Sequence, residues 1–184
     1  MPTQPSRNSR SLPSWLKIIG LTSLMAMLYG LVHSQATALI SLEYFTEGLP
    51  QLFTITSPLL LALLWGLVAS WWYGLALGAV LALASSYGSY PKCSARSLRF
   101  PMTIALIVVG LSAYFVGVLG RDLARVGYVH ILEPTASQVP AERHVAFLSV
   151  LWAHWASYIT AAVATVVLAL WIIWQRWRMH RKQA

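Results

Sequence analysis

Acidic side chains are scarce in this chain: 184 residues carry five, Glu43, Glu47, Asp122, Glu133 and Glu142. Charge of either sign is rare, 10% of residues against 58% hydrophobic, whereas soluble globular domains carry roughly a quarter charged residues. That composition excludes a soluble globular domain. The length accommodates about four spans of about 20 residues and leaves no room for a separate domain. Cys93 is the only cysteine, which excludes an internal disulfide and a Cys-rich metal site. GxSxG, HExxH, ExxH and CxxC are all missing, so local spacing assigns no nucleophile and no zinc helix, and no catalytic residue is named. No acid falls within a long apolar run, which removes the usual carrier of a proton or ion path.

What the chain does have is apolar sequence in four blocks. The first predicts a span over about 15–33, with a less apolar continuation to about 46 that Gly48 and Pro50 stop. The others fall at about 58–84, 101–120 and 147–174. Pro58, Pro101 and Pro140 are expected in first turns, where a missing N–H costs nothing. Trp15, Trp171, Trp174 and Trp177 mark one interface as an aromatic belt. The fold read from this is all-α: residues 1–184 form a single transmembrane domain, an integral membrane four-helix bundle.

Basic residues give the orientation. Arg7, Arg10 and Lys17 precede the first span, Lys92, Arg96 and Arg99 separate the second and third, and Arg176, Arg178, Arg181 and Lys182 follow the fourth, ten of the 13 in all. Those segments, and with them both termini, are expected to be cytoplasmic. The opposite side holds every acid and four of the five histidines, His33 and His154 toward the outer ends of their spans and His130 and His144 in the connection, with Arg121, Arg125 and Arg143. Placed this way, the positive charge reads as a topology determinant and not as a nucleic-acid surface. Ser34-Gln35-Ala36 after the first apolar run has small residues where a signal peptidase would cut, but the run exceeds the usual h-region, so it is read as a retained span.

Small residues pattern the spans. Gly66, Ser70, Gly74, Gly78 and Ala82 recur every four residues and lay a groove along one face of the second helix, suited to close approach of another helix of this chain or of a second copy. Gly110, Ala113, Gly117 and Gly120, and then Ser157, Ala161 and Ala164, extend the theme and favour an intramolecular bundle. Trp65, Trp71, Trp72, Trp152 and Trp155 are expected to supply bulk against these grooves, as core or lipid-facing aromatics, with a pigment or quinone platform the weaker reading.

Candidate chemistry gathers toward the acidic face. On a helix continuing past His33, residues His33, Thr37, Tyr44 and Glu47 share one polar stripe with Glu43 beside it, and Glu142 opens the last span. Histidine and carboxylate suit zinc, iron or manganese, so His33, Glu43, His144 and His154 form a candidate ligand pool across the bundle. Ten helical residues span about 15 Å, so the first helix cannot chelate an ion alone. The competing reading makes His33 and His154 interfacial residues bonded to neighbouring helices, with loop pairs such as Arg121 or Arg125 to Glu133 or Glu142. Cys93 lies among bases that would lower its pKa.

The run Tyr29 to Thr37, then Glu43-Tyr44-Phe45-Thr46 with Gly48 and Pro50, Ser57-Pro58, Trp65-Gly66 and Ala69 to Gly74, resembles a family of small bacterial four-span integral membrane proteins of unknown function. The resemblance continues through Pro91-Lys92, Ser94-Ala95-Arg96 and Glu142-Arg143-His144, and so covers most of the chain. It implies a bacterial inner-membrane protein whose shared polar residues cluster in and after the first helix, and it implies no activity. The family pattern has an acid after the first histidine where this chain has Ser34, a departure that weakens a metal site centred on His33.

The functional expectation is a non-catalytic scaffold or accessory subunit with a recognition site on its polar outer face. Its partners would be the bilayer and another membrane protein or a second copy, and no nucleic acid. One alternative is a metal- or cofactor-binding, redox-linked membrane protein using a transition metal. A weaker one is an oligomeric transporter of small solutes.

Overall fold

The computed structural model describes residues 12–182; Arg7 and Arg10 lie outside the described residues. The protein is all-α, with α1 over Ser14–Ala38, α2 over Glu43–Thr46, α3 over Pro58–Ser86, α4 over Ala95–Arg125, α5 over Thr135–Gln138 and α6 over His144–Arg181. A short 3-10 turn, Ala141–Arg143, leads into α6. Among the described residues four helices are long and apolar enough to cross a bilayer, α1, α3, α4 and α6 with its leading turn, and the chain is a multi-pass membrane protein.

Two antiparallel pairs make the bundle. α1 packs chiefly on α3 and α4 chiefly on α6, and the pairs meet more loosely along α3–α6 and α1–α4. The small-residue groove of α3 is filled by α1 of the same chain. A Cβ added to Gly66 would lie 2.6 Å from the Gly30 carbonyl oxygen, one on Gly74 2.7 Å from Ser23 Cα, and one on Gly78 2.9 Å from Ile19 Cα. Backbones this close gain dispersion contact over the whole interface, the main attraction between helices where lipid competes for apolar surface. In the second pair Gly117 receives Ala153 and Gly120 receives the Trp152 ring, while Ser149 Oγ donates to the Gly117 carbonyl at 2.9 Å.

Helix ends depart from the sequence expectations in four places. The helix does not continue from His33 to Thr46. It stops at Ala38, where the N–H groups of Ile40 and Ser41 both turn back to the Thr37 carbonyl, and α2 folds over the bundle. The cause is burial: Tyr44 and Phe45 pack with Trp65, Phe147 and Val150, and burying each ring contributes about 2–3 kcal/mol, enough to override helix continuation. Pro101 sits inside α4, not in its first turn, because Ser94 starts the helix earlier by accepting the Ser97 N–H at 3.3 Å. α4 and α6 also outrun their apolar blocks. At the end of α6, Arg178 lies 4.7 Å over Trp174 and Arg181 4.3 Å over Trp177, cation–π contacts that favour the turns beyond the apolar block. Only Trp65 and Trp152 of the expected bulk residues turn inward; Trp71, Trp72 and Trp155 face outward, toward lipid.

Arg176 departs from the tail-charge reading as well. It is 2% exposed and donates to the carbonyls of Ala84 at 2.7 Å, Pro91 at 2.8 Å, Tyr87 at 2.8 Å and Tyr90 at 3.1 Å. One guanidinium thus closes the carboxyl end of α3 and the loop after it, where the helix dipole favours a cation.

Two apolar clusters bracket the interior. Ile18, Leu81, Leu98, Met102 and Ile172 pack toward the face that carries the termini, and the Tyr44–Phe45–Trp65–Phe147 cluster packs toward the acidic face. The candidate site lies between them.

Candidate functional site

The four candidate metal ligands do not converge. Glu43 is taken by Arg143, whose Nε donates to Oε1 at 2.7 Å and whose Nη2 donates to Oε2 at 3.2 Å, while Ser41 Oγ adds a bond to Oε2 at 2.7 Å. His144 Nε2 donates to the Val139 and Ala136 carbonyls at 2.9 and 3.2 Å, which ties the α5 loop to the start of α6. Among the described residues no three His, Cys, Asp or Glu side chains come together as a metal group would require. A centre built from all four therefore does not assemble, because stronger local partners hold two of them.

His33 and His154 do meet, across the middle of the bundle. Their ring centroids are 4.5 Å apart with planes at 64°. Tyr29 stacks on His33 at 5.2 Å, one helical turn before it, and Tyr44 stacks on His154 at 4.5 Å. The end of α1 at Ala38 makes this possible, since it brings Tyr44 back over α6 and off the stripe it was expected to share with Glu47. Glu47 is half-buried, Glu142 is exposed, and neither is in an ion pair among the described residues.

The protons in this cluster have a direction. Ser157 Oγ donates to the Ala153 carbonyl at 3.0 Å, so Tyr29 Oη donates to Ser157 Oγ at 2.7 Å. The Tyr29 oxygen is then left as an acceptor for His33 Nδ1, at a long 3.5 Å. Nδ1 carries the proton in this assignment, and Nε2 presents a lone pair. That Nε2 is buried and has no hydrogen-bond partner among the described residues. On the other histidine, Thr37 Oγ1 donates to the His33 carbonyl at 2.8 Å and so accepts from His154 Nε2 at 3.1 Å.

Both rings line a cavity of about 160 Å³ between the helix pairs. Its head is aromatic and polar, with Tyr29, His33, Tyr44, Tyr73, His154 and Tyr158, and its far end is apolar, with Leu77, Leu81, Met102, Leu106 and Leu168. Among the described residues no Asp, Glu, Lys or Arg lines it. A second hollow shares Tyr44, Tyr73, His154 and Tyr158 with the first and continues outward between α3 and α6 to Trp155 and Ile159, 62% and 57% exposed. At that seam Tyr73 Oη donates to the Tyr158 carbonyl at 2.6 Å, and the two rings meet edge to face at 5.1 Å.

Outside the spans the titrations of Glu43 and Cys93 are perturbed. Burial opposes ionisation of Glu43, but the bonds from Arg143 and Ser41, a bond to its own backbone and the Arg143 charge outweigh it, holding the carboxyl at about 2. Burial pushes the Cys93 thiol up, with Arg176 only partly offsetting it, so the thiolate expected from neighbouring bases is not favoured. The expected loop pairs are also replaced: Arg121 and Arg125 both reach Asp122, at 3.1 and 3.6 Å, and Glu133 accepts from Ser137.

Sequence reasoning named His33, Thr37, Tyr44 and His154 but missed Tyr29, Tyr73 and Ser157. The spacing Tyr29–His33, one helical turn, was the available signal. Compared with protein-family models, curated proteins and solved structures, the chain matches none.

Proposed function

We propose that this multi-pass membrane protein binds a small lipid-soluble molecule in the cavity between its helix pairs, with the molecule's polar group against His33 and His154. The observation that carries the reading is His33 Nε2, buried and unpartnered in the cavity wall. Leaving such an atom unpaired costs about 1–3 kcal/mol, and a group of that kind, convergent with other polar side chains on an otherwise apolar cavity, is the usual mark of a ligand position. A polar outer surface that docks a partner has less support, since Thr37 and Tyr44 are buried and Glu43 is held by Arg143. Oligomerisation into a pore along the α3 groove has less support too, since α1 occupies that groove.

The same proposal includes a bacterial inner membrane, membership of the small four-span family and cytoplasmic termini. It rests for these on the quoted motif residues and on the distribution of positive charge. The binding test is thermal unfolding of the detergent-purified protein against a panel of small neutral amphiphiles, with Ala161→Phe as a cavity-filled control. The expected result is a raised midpoint in the wild type that the filled variant loses. No rise with any compound, or a rise that survives Ala161→Phe, would refute the reading.

A further inference from the structure

The head of the cavity discriminates by chemistry, and we infer that its ligand is a neutral, lipid-soluble monocyclic aromatic carrying a hydroxyl, of the alkylphenol or hydroquinone class, which donates that hydroxyl to His33 Nε2. The inference rests on the binding reading above and narrows it to a ligand class through four independent observations.

The first is proton direction. With the Ser157 proton on the Ala153 carbonyl and the Tyr29 proton on Ser157, the Tyr29 oxygen is left to accept from His33 Nδ1, and in that assignment the unpartnered Nε2 accepts. A carbonyl or ether oxygen placed there would set lone pair against lone pair. A hydroxyl completes the network.

Charge is the second. With no Asp, Glu, Lys or Arg in the lining among the described residues, a carboxylate, phosphate or ammonium head would be buried without a counter-charge, at a cost its apolar part cannot recover. The molecule's head is neutral.

Size and wall chemistry are the third. An enclosed apolar cavity of about 150 Å³ admits benzene, and this one, at about 160 Å³, has the capacity of one ring with a small substituent. The walls around His33 and His154 are the rings of Tyr29, Tyr44, Phe45 and Trp65, which favour an aromatic guest by offset or edge contact.

Access is the fourth. The second hollow leads sideways between α3 and α6, past Tyr73 and Tyr158, to outward-facing Trp155 and Ile159. α3 and α6 also pack less closely than either helix does with its main partner. A guest entering there comes from the bilayer and carries its alkyl substituent along the seam.

The test compares three probes of one size, 4-butylphenol, butylbenzene and 4-butylbenzaldehyde, by equilibrium binding to the wild-type protein and to His33→Phe. The phenol should bind about tenfold more tightly than butylbenzene, the size of one buried hydrogen bond, and should lose that advantage in His33→Phe. Equal binding of phenol and butylbenzene to the wild type would overturn the hydroxyl assignment and leave the cavity-binding reading standing. Tighter binding of the aldehyde would overturn it as well, by putting the His33 proton on Nε2. Binding of none of the three, together with no response to the amphiphile panel, would remove the binding reading itself. The wild-type comparison needs no variant, so a His33→Phe protein that does not fold leaves the ligand class decided by the three probes.

Discussion

Arg143 Nε donates to Glu43 Oε1 at 2.7 Å and joins residues 100 positions apart in the chain. The same guanidinium reaches the Ile40 carbonyl at 2.9 Å, so one side chain fixes both the turn that ends α1 and the short helix after it. These are the elements that return Tyr44 to His154. The acidic face is thereby latched by an ion pair whose strength depends on pH.

The Glu43 carboxyl is held at about 2, below the roughly 4.3 of an unfolded chain, so its contribution is full above about pH 5 and is lost as pH falls through about 2. The pair is part-exposed, with side-chain exposures of 39% and 23%, so after solvent screening its worth is on the order of 1–2 kcal/mol. Melting curves of the wild type and Glu43→Gln in detergent should differ above pH 5 and converge toward pH 2. A gap of constant size across that range would show that the carboxylate does not power the latch.

The α1–α3 seam makes a sharper prediction, because its glycines are far less tolerant than the glycine of α4 that faces α1. A methyl on Gly66 meets backbone oxygen at 2.6 Å, where nothing can rotate away, whereas a methyl on Gly110 finds only the Tyr29 ring edge at 3.9 Å. Gly66→Ala should cost about 2 kcal/mol or more by forcing the helices apart, and Gly110→Ala should be close to neutral. Resistance to unfolding in a denaturing detergent measures both. Equal effects of the two would mean that the close approach does not hold the pair together.

This seam was legible in the sequence, since a four-residue repeat of small side chains has one physical use, and the four apolar blocks were legible for the same kind of reason. The site was legible only in part. His33 and His154 stood out as polar residues in apolar runs, and their meeting across the bundle was one of the arrangements considered. Glu43 and His144 misled because residue type gives ligand chemistry but not the competitor that claims it. Arg143 and the Val139 carbonyl are such competitors, and they appear only once the loops fold. The stop at Ala38 was hidden for a related reason: no Gly or Pro marks it, and it follows from where Tyr44 and Phe45 find a hydrophobic neighbour. Arg176 looked like one more tail charge because its use depends on where α3 ends, a distance of more than 80 residues in the chain.

Arg176 leads to the last prediction. Removing it leaves four carbonyls at the end of α3 and in the following loop without their donor, and Arg176→Ala should cost about 3 kcal/mol or more. The loop holds a reporter of its own in Cys93, half-buried, with its N–H on the Ser85 carbonyl at 3.0 Å and its thiol pushed up chiefly by burial. Loosening the loop exposes that sulfur. Loss of the Arg176 charge works the other way, since the charge favours the thiolate, but burial is the larger influence, so maleimide labelling at pH 7.5 should be faster in Arg176→Ala than in the wild type. A membrane-impermeant maleimide reads the sidedness in the same experiment. With the loop in the cytoplasm neither protein is labelled in intact cells, and both are labelled in opened membranes, the variant first. Labelling of intact cells would reverse the orientation, and equal rates in opened membranes would show that the guanidinium does not hold the loop closed.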